Sequence, residues 1–393
     1  MSAAGAFHLA WQYIARHRTQ SFLLALALGL TLALPLLASV FVRIAGDEFR
    51  ARGEATPLLL GAKGSALDLT LNALYFRRRG MENIPMKQAQ TVRATGLADA
   101  ILLYVRFQSQ GAPIVGTSLD YFSFRRLRIA EGKMITRLGD CVVGARVARA
   151  RGLKPGGALY SSPEQVFDIA GVYPLKMRVT GILAENHSAD DAAVFVDVKT
   201  AWLIEGIAHG HEDLVKAPDK VVIEMQSGNV AANKSVVLFN EVTDANFASF
   251  HFHGDEGEFP VSAVIVVPRD VKAQAILLGR YQDGKQGVQL VRPAEEMNAL
   301  LATLIQTKRL ALVLLGALGV IVLFIAVIVF ALSFKMRRRE FSALEDIGVS
   351  RSALMVVKLC EVLIVGATAL FIVALSWATV IHYGATWVRL GAA

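Results

Sequence analysis

The chain has 393 residues, of which 54% are hydrophobic and only 19% charged, against roughly 25% charged in a typical soluble protein. That balance excludes an ordinary soluble globular chain and requires the apolar excess to sit in blocks. The formal net charge is +8, yet no basic stretch is interleaved with aromatic residues, so the charge is not read as a nucleic-acid signal.

Residues 1–20 open the chain with Phe7, Trp11 and Ile14 at helical spacing opposite His8, Gln12 and Arg16. Two readings stand: an amphipathic helix lying in the cytoplasmic membrane interface, or a plain helical extension of the apolar segment beginning at Ser21. Ser21 to Val42 carries no charge, and at ~1.5 Å rise per residue it covers the ~30 Å hydrocarbon core of a bilayer. Its apolar length exceeds the roughly 7–15 residues of a signal-peptide core, so residues 21–42 are read as a span rather than a cleaved leader. Pro35 removes one backbone donor and is expected to kink it.

Residues 43–309 contain no run long enough to cross and read as a folded α+β domain outside the cytoplasm. Alternating or β-branched content suggests strands at Ala66–Tyr75, Ile101–Phe107, Cys141–Val143, Met177–Leu183, Ala193–Val196, Lys220–Met225 and Val261–Val267. Helices are expected at Val198–Ile207 and Val271–Tyr281, with turns at Lys154-Pro155-Gly156-Gly157 and Asp283-Gly284. From Pro293 no proline or turn cluster intervenes as far as Phe334, so one long stalk helix is expected to run into the second span, residues 310–334. A break at Thr307 to Arg309 is the alternative.

Residues 335–358 form a short loop and residues 359–381 a third span, which leaves 382–393 as an outer tail. Arg16 and Arg18 precede the first span, and Lys335, Arg337, Arg338, Arg339, Arg351 and Lys358 lie between the second and third; short basic segments mark the cytoplasmic side. Glu361, costly inside a bilayer, is expected to snorkel or pair near Lys358. Topology keeps Cys141 and Cys360 apart, so no disulfide framework exists.

The 335–358 loop carries the most mechanism. Glu340, Phe341, Leu344, Glu345, Asp346, Ile347 and Gly348 describe a short helix with an apolar stripe (Phe341, Leu344, Ile347), acidic neighbours and a glycine stop. Such an element suits docking into a groove on a soluble partner, where a buried apolar anchor supplies affinity and charge sets register. Four histidines form the other cluster of ligand chemistry. His209 and His211, then His251 and His253, stand beside carboxylates in a pattern that would suit zinc, although a solvated loop uses the same residues.

The Glu345-Asp346-Ile347-Gly348 element resembles the corresponding loop of the FtsX-like, or macrolide-exporter (MacB-type), permease family. Gly61-Ala62-Lys63-Gly64-Ser65-Ala66-Leu67-Asp68-Leu69, Cys141 to Ala148, Gly156-Gly157 and Val179 to Leu183 resemble further stretches of the same family, in the same order. The resemblance implies a permease of the bacterial inner membrane, paired with a second permease copy and two copies of a cytoplasmic ABC ATPase, with ATP and magnesium held by that partner. It also admits a periplasmic partner or lipoprotein, beside the membrane lipids themselves. The family usually has four spans where this chain offers three. The chain itself has no Gly-x4-Gly-Lys-Ser/Thr phosphate loop and no Gly-x-Ser-x-Gly elbow, so it is read as a non-catalytic subunit without a cofactor of its own. A membrane-anchored sensor or scaffold, whose outer domain binds a ligand or metal without ATP coupling, is the alternative; the 335–358 loop is too short for a signalling module.

Overall fold

The computed structural model describes residues 3–77, 82–162, 174–210, 222–226, 229–232, 240–282 and 287–391. The chain divides into two compact units, Met1–Glu48 with Ala299–Leu390, and Phe49–Asn298.

The first unit is helical. Among the described residues, three helices are long and apolar enough to cross a membrane: Arg18–Glu54, Pro293–Met336 and the stretch Arg351–Gly384. Leu310, Val313, Val320, Phe324 and Val327 are each more than half exposed, which in water would be a severe aggregation liability and in lipid is the ordinary state of a span. Pro35 lies inside the first long helix without ending it, and the second runs unbroken through Thr307 to Arg309. The third continues to Gly391, so the expected tail is helical nearly to its end. Ahead of them, the helix Ala3–Arg16 buries Ala6 and Ala10 against Val357 of the third long helix. Phe7 and Trp11 face outward, 52% and 54% exposed. This is an amphipathic helix with its small residues on protein, separated from the first long helix by a turn at His17.

The second unit is built on a ten-stranded mixed sheet. Its order runs Val288–Val291, Leu58–Ala62, Ala263–Pro268, Ala98–Ser109, Ala112–Thr117, Val194–Asp197, Asp140–Val143, Lys176–Leu183 and Ile129–Gly132, with Ala158–Tyr160 also pairing Lys176–Leu183. Two pairings are parallel, Ala112–Thr117 with Val194–Asp197 and Asp140–Val143 with Lys176–Leu183. Both faces are covered. Leu58, Leu60, Leu102, Tyr104, Val194 and Val196 point into one core, and Leu59, Ile101, Leu103, Phe195 and Ile265 into the other. A sheet buried on both sides needs apolar residues at successive positions rather than alternation, and the central strands read that way.

The expected strand at Ala66–Tyr75 is a helix. Its Leu-Asp-Leu-Thr-Leu alternation imitates a strand, but the Ser65 hydroxyl accepts from the Asp68 amide at 3.1 Å and caps a helical first turn. Leu69 of this helix then presses on Gly61, where any Cβ would stand 2.3 Å from a Leu69 methyl. The segments expected as strands at Ile101–Phe107, Cys141–Val143 and Met177–Leu183 lie in strands, as does most of Ala193–Val196 and Val261–Val267. The expected helices appear as Val198–Glu205 and Val271–Gln282. The Asp283-Gly284 turn and Lys220 lie outside the described residues; Val222–Gln226 is a strand.

Two helix ends are rooted in this unit. Arg52, on the last turns of the Arg18–Glu54 helix, grips Asp190 with both terminal nitrogens at 2.9 Å and donates through Nε to the Leu74 carbonyl at 2.5 Å. The Tyr121 hydroxyl donates to the same carboxylate at 2.7 Å, and the Ser188 hydroxyl does so at 2.8 Å. The side chains of Arg52 and Asp190 are only 10% and 1% exposed. Beside them Arg125, whose pKa burial and the neighbouring Arg52 charge push down, donates to Thr56 at 2.8 Å. Gly53 permits the first turn of the Pro293–Met336 helix to lie alongside: a Cβ there would meet Met297 at 3.1 Å and the Pro293 carbonyl at 3.3 Å. Arg50 donates to Asn298 at 3.1 Å.

Burial alone would raise the Asp190 pKa, but the Arg52 charge, with hydrogen bonds from Arg52 and Tyr121, holds it well below the ordinary carboxylate range. The folded value lies below the unfolded one, so the pair's stabilisation is complete above about pH 4 and is lost as pH falls through the depressed value. Replacing Asp190 by Ala strands a buried guanidinium and is expected to destabilise this unit by about 3–5 kcal/mol. Thermal unfolding of the full chain in detergent measures it, and the gap between wild type and variant should close as pH is taken below 4. An unchanged midpoint at neutral pH would contradict the assignment.

Candidate functional site

The helix Arg338–Asp346 sits in the short connection between the second and third long helices. Its end is a glycine cap: Gly348 lies at φ +93°, its amide donates to the Glu345 carbonyl at 2.9 Å, and the Val349 amide to Leu344 at 3.0 Å. That pair of bonds is the Schellman arrangement, which needs a left-handed residue and favours glycine. The start is anchored by Arg337. Its guanidinium pairs with Glu361 at 2.7 Å and Glu340 at 3.1 Å, and lies 3.5 Å from the Tyr13 ring centroid and 4.8 Å from that of Phe341. The Lys358 ammonium also lies by Phe341, 4.6 Å from its ring centroid. Tyr13 in turn shares a hydrogen bond with Ser333 at 3.2 Å.

This cluster draws on four segments of the helical unit. Glu361 finds its partner in Arg337, 24 positions away, and not in Lys358, whose ammonium instead rests over the Phe334 and Phe341 rings. A carboxylate 4% exposed beside a guanidinium 14% exposed is a desolvated pair, and cation–π contact supplies the rest of the guanidinium's environment.

The apolar stripe expected to face a partner is divided. Phe341 is 7% exposed and turned inward under Arg337 and Lys358, so it anchors the short helix and offers no free surface. Leu344 is half-buried. Ile347 is 76% exposed, with exposed Glu345 and Asp346 next to it in the chain, while Glu340 is exposed at the helix start beside Arg337. The outward face therefore holds one large aliphatic side chain next to two acids, with Arg338, Arg339 and Glu340 exposed at the other end. The alternation of helix faces is visible in the sequence; the inward pull on Phe341 is not, because it depends on Tyr13, Lys358 and Glu361.

In the sheet unit, Ala208–Gly210 pairs antiparallel with Phe250–Phe252, in a register that sets His209 opposite His251. His253 stacks on His209 with ring centroids 4.8 Å apart. His211 lies outside the described residues. A cleft of about 650 Å³ beside this hairpin is lined by Leu119, Ile135, Leu138, Phe247, Phe250 and Phe252 among others.

The model of the MacB-like periplasmic core domain family matches residues 22–236. No curated protein matches the chain. Among solved structures, the periplasmic region of MacB from Actinobacillus actinomycetemcomitans is similar at 12% identity and a TM-score of 0.36, covering 62% of this chain and 92% of that one. The extracellular domain of the noncanonic ABC-type transporter YknZ from Gram-positive bacteria is similar at 11% identity and a TM-score of 0.32, covering 60% of this chain and 98% of that one.

Replacing Glu361 by Ala leaves Arg337 without its desolvated carboxylate, at an expected cost of about 3 kcal/mol to the helical unit. The thermal midpoint in detergent should fall by several degrees, and exchanging the pair, Arg337→Glu with Glu361→Arg, should recover part of the loss. Equal midpoints for wild type and Glu361→Ala would remove the pair from any structural role.

Proposed function

The chain belongs to the family carrying the MacB-like periplasmic core domain, and from that membership we propose that it is the permease subunit of an ABC-type transporter or mechanotransmission complex. It sits in the bacterial inner membrane as a multi-pass protein, with the sheet unit in the periplasm and the Arg338–Asp346 helix at the cytoplasmic face. Two copies of a cytoplasmic ABC ATPase hold ATP and magnesium and do the hydrolysis. A second permease copy completes the assembly; only 6% of the apolar window of the Pro293–Met336 helix is buried within the chain, which leaves its surface to lipid and to that copy. The cargo is hydrophobic or peptide-like, or the output is a mechanical signal to a periplasmic partner.

The observation that carries the reading is the short helix between two spans, capped at Gly348, pinned inward by Phe341 and Arg337, and presenting Ile347 outward next to two acids. Its outer side meets the groove of the ATPase: Ile347 supplies the apolar anchor and Glu345 and Asp346 the charge that sets register. Its inner side is fastened to the long helices through Arg337–Glu361 and Phe341, so a push on Ile347 reaches helix backbones rather than a loose loop. When ATP binding closes the nucleotide subunits, that push displaces the end of the Pro293–Met336 helix, whose unbroken backbone hydrogen bonds carry it along the chain. At its far end the helix is rooted through Met297, which lies against Gly53, and there the displacement changes what the periplasmic sheet unit can contact.

Because Phe341 is buried, charging it would damage the helix itself, and Ile347 is the cleaner probe. Ile347→Glu is expected to leave membrane insertion and thermal midpoint unchanged while lowering ATPase recovered by affinity purification in mild detergent about tenfold, the loss of one interfacial anchor. Undiminished recovery of an ATPase with the variant, or no nucleotide-hydrolysing partner with the wild type, would sink the docking role.

A further inference from the structure

The hairpin of Ala208–Gly210 and Phe250–Phe252 buries one side and leaves the other to imidazole. Ala208 is 1% exposed and belongs to the core, against which Phe250 and Phe252 also pack. With the two phenylalanines committed inward, the period-two alternation of a strand sends His251 to the opposite side, together with His253 two residues on. Antiparallel pairing sets His209 directly across from His251, and the His253 amide, donating to the Ile207 carbonyl at 3.1 Å, continues the ladder. The three rings converge, with centroids 4.7 to 4.9 Å apart, and each offers a nitrogen within 4.8 Å of the other two.

We propose that His209, His251 and His253 bind a divalent transition-metal ion of the zinc type. Three imidazoles are borderline-soft donors that suit zinc, copper, nickel or cobalt and discriminate against magnesium and calcium, which take oxygen ligands. The tautomer of one ligand is already set: His251 Nδ1 lies 2.9 Å from the Ser249 carbonyl. A carbonyl only accepts, so Nδ1 carries the proton and Nε2 presents its lone pair to the ion, as in other sites where a backbone carbonyl orients a metal-binding histidine. Tetrahedral bonds of about 2.0–2.1 Å set ligand nitrogens about 3.3 Å apart, inside the 4.8 Å within which these three already lie. His209 and His251 are half-buried and His253 exposed, so the remaining coordination position faces solvent and admits water or an outside ligand. Bound there, the ion ties residues 208–210 to 250–253 and staples two strands that are remote in sequence.

The test uses the full-length chain purified in detergent, stripped with EDTA and dialysed against zinc, with metal content measured by mass spectrometry and thermal midpoint followed in parallel. About one zinc per chain is expected, as for a single mononuclear site, with a midpoint raised by zinc and not by magnesium. Cobalt(II) should give the visible absorption of nitrogen-ligated tetrahedral or five-coordinate cobalt. His253→Gln, at an exposed position, is expected to keep the metal-free midpoint while weakening zinc binding by at least about tenfold, since loss of a direct ligand exceeds the 10–100-fold effects seen for groups behind the ligands. His187→Gln, which alters a histidine grouped instead with Glu185 and Asp191, should bind as wild type. The proposal is overturned if the wild type takes up no zinc, or if His253→Gln and His209→Gln both retain wild-type affinity and cobalt spectrum.

Discussion

A guanidinium and a carboxylate shut away from water govern how the sheet unit holds the ends of its helices. Arg52 and Asp190 are 138 positions apart, and neither is tolerable where it stands without the other, since an unpaired charge at such a site costs several kcal/mol. The pair is bidentate, and Tyr121, Ser188 and the Leu74 carbonyl use the remaining hydrogen-bonding capacity. Gly144 is part of the same constraint: a Cβ there would stand 2.3 Å from the Asp190 carbonyl, so the turn presenting Asp190 exists only because that position is bare. The end of the Arg18–Glu54 helix consequently cannot shift against the sheet without exposing two charges to an apolar interior, and the root of the Pro293–Met336 helix, lying on Gly53, shares that restraint.

The helical unit solves a related problem with the same chemistry. Arg337 and Glu361 are desolvated together, and the aromatic faces of Tyr13 and Phe341 take the place of water around the guanidinium. Arginine suits both places for one reason: a planar, weakly hydrated cation can be stacked and doubly hydrogen-bonded, whereas an ammonium keeps its demand for solvent. Lys358 illustrates the difference, lying over two rings rather than taking the buried carboxylate that stands three positions away.

The three apolar helices are legible in the sequence because a membrane span is a composition rule, and a charge-free run of sufficient length has few other uses. Most central strands are legible for a different reason, their β-branched or alternating content, although the double covering of the sheet, which fills consecutive positions with apolar residues, shows only in the structure. Ala66–Tyr75 misleads because alternation over five residues is a weak signal beside a serine three positions ahead of an aspartate, which caps a helix. The clusters that give the chain its character are beyond sequence reading altogether. Arg52 with Asp190, and Arg337 with Glu361, are pairings set by topology, and nothing local to Arg52 distinguishes it from Arg50, which reaches Asn298 instead. The histidines stand in the sequence as two separate groups, and only strand register makes partners of His209 and His251.

The division of labour on the Arg338–Asp346 helix follows from its size. Nine residues make about two and a half turns, too few to be stable alone in water, so such a helix exists only if one face is held. Phe341 and Arg337 hold it, and that use of the inner face leaves Ile347 and the acids as what another molecule can touch. An element whose fold depends on its inner contacts cannot be displaced from outside without moving the residues it rests on, here Tyr13, Lys358 and Glu361. These three lie on the amphipathic helix and the third long helix, while Arg337 itself comes just after the end of the second. Under the proposed docking role, a force applied at one exposed isoleucine would be distributed over three helices by a single buried ion pair and a ring.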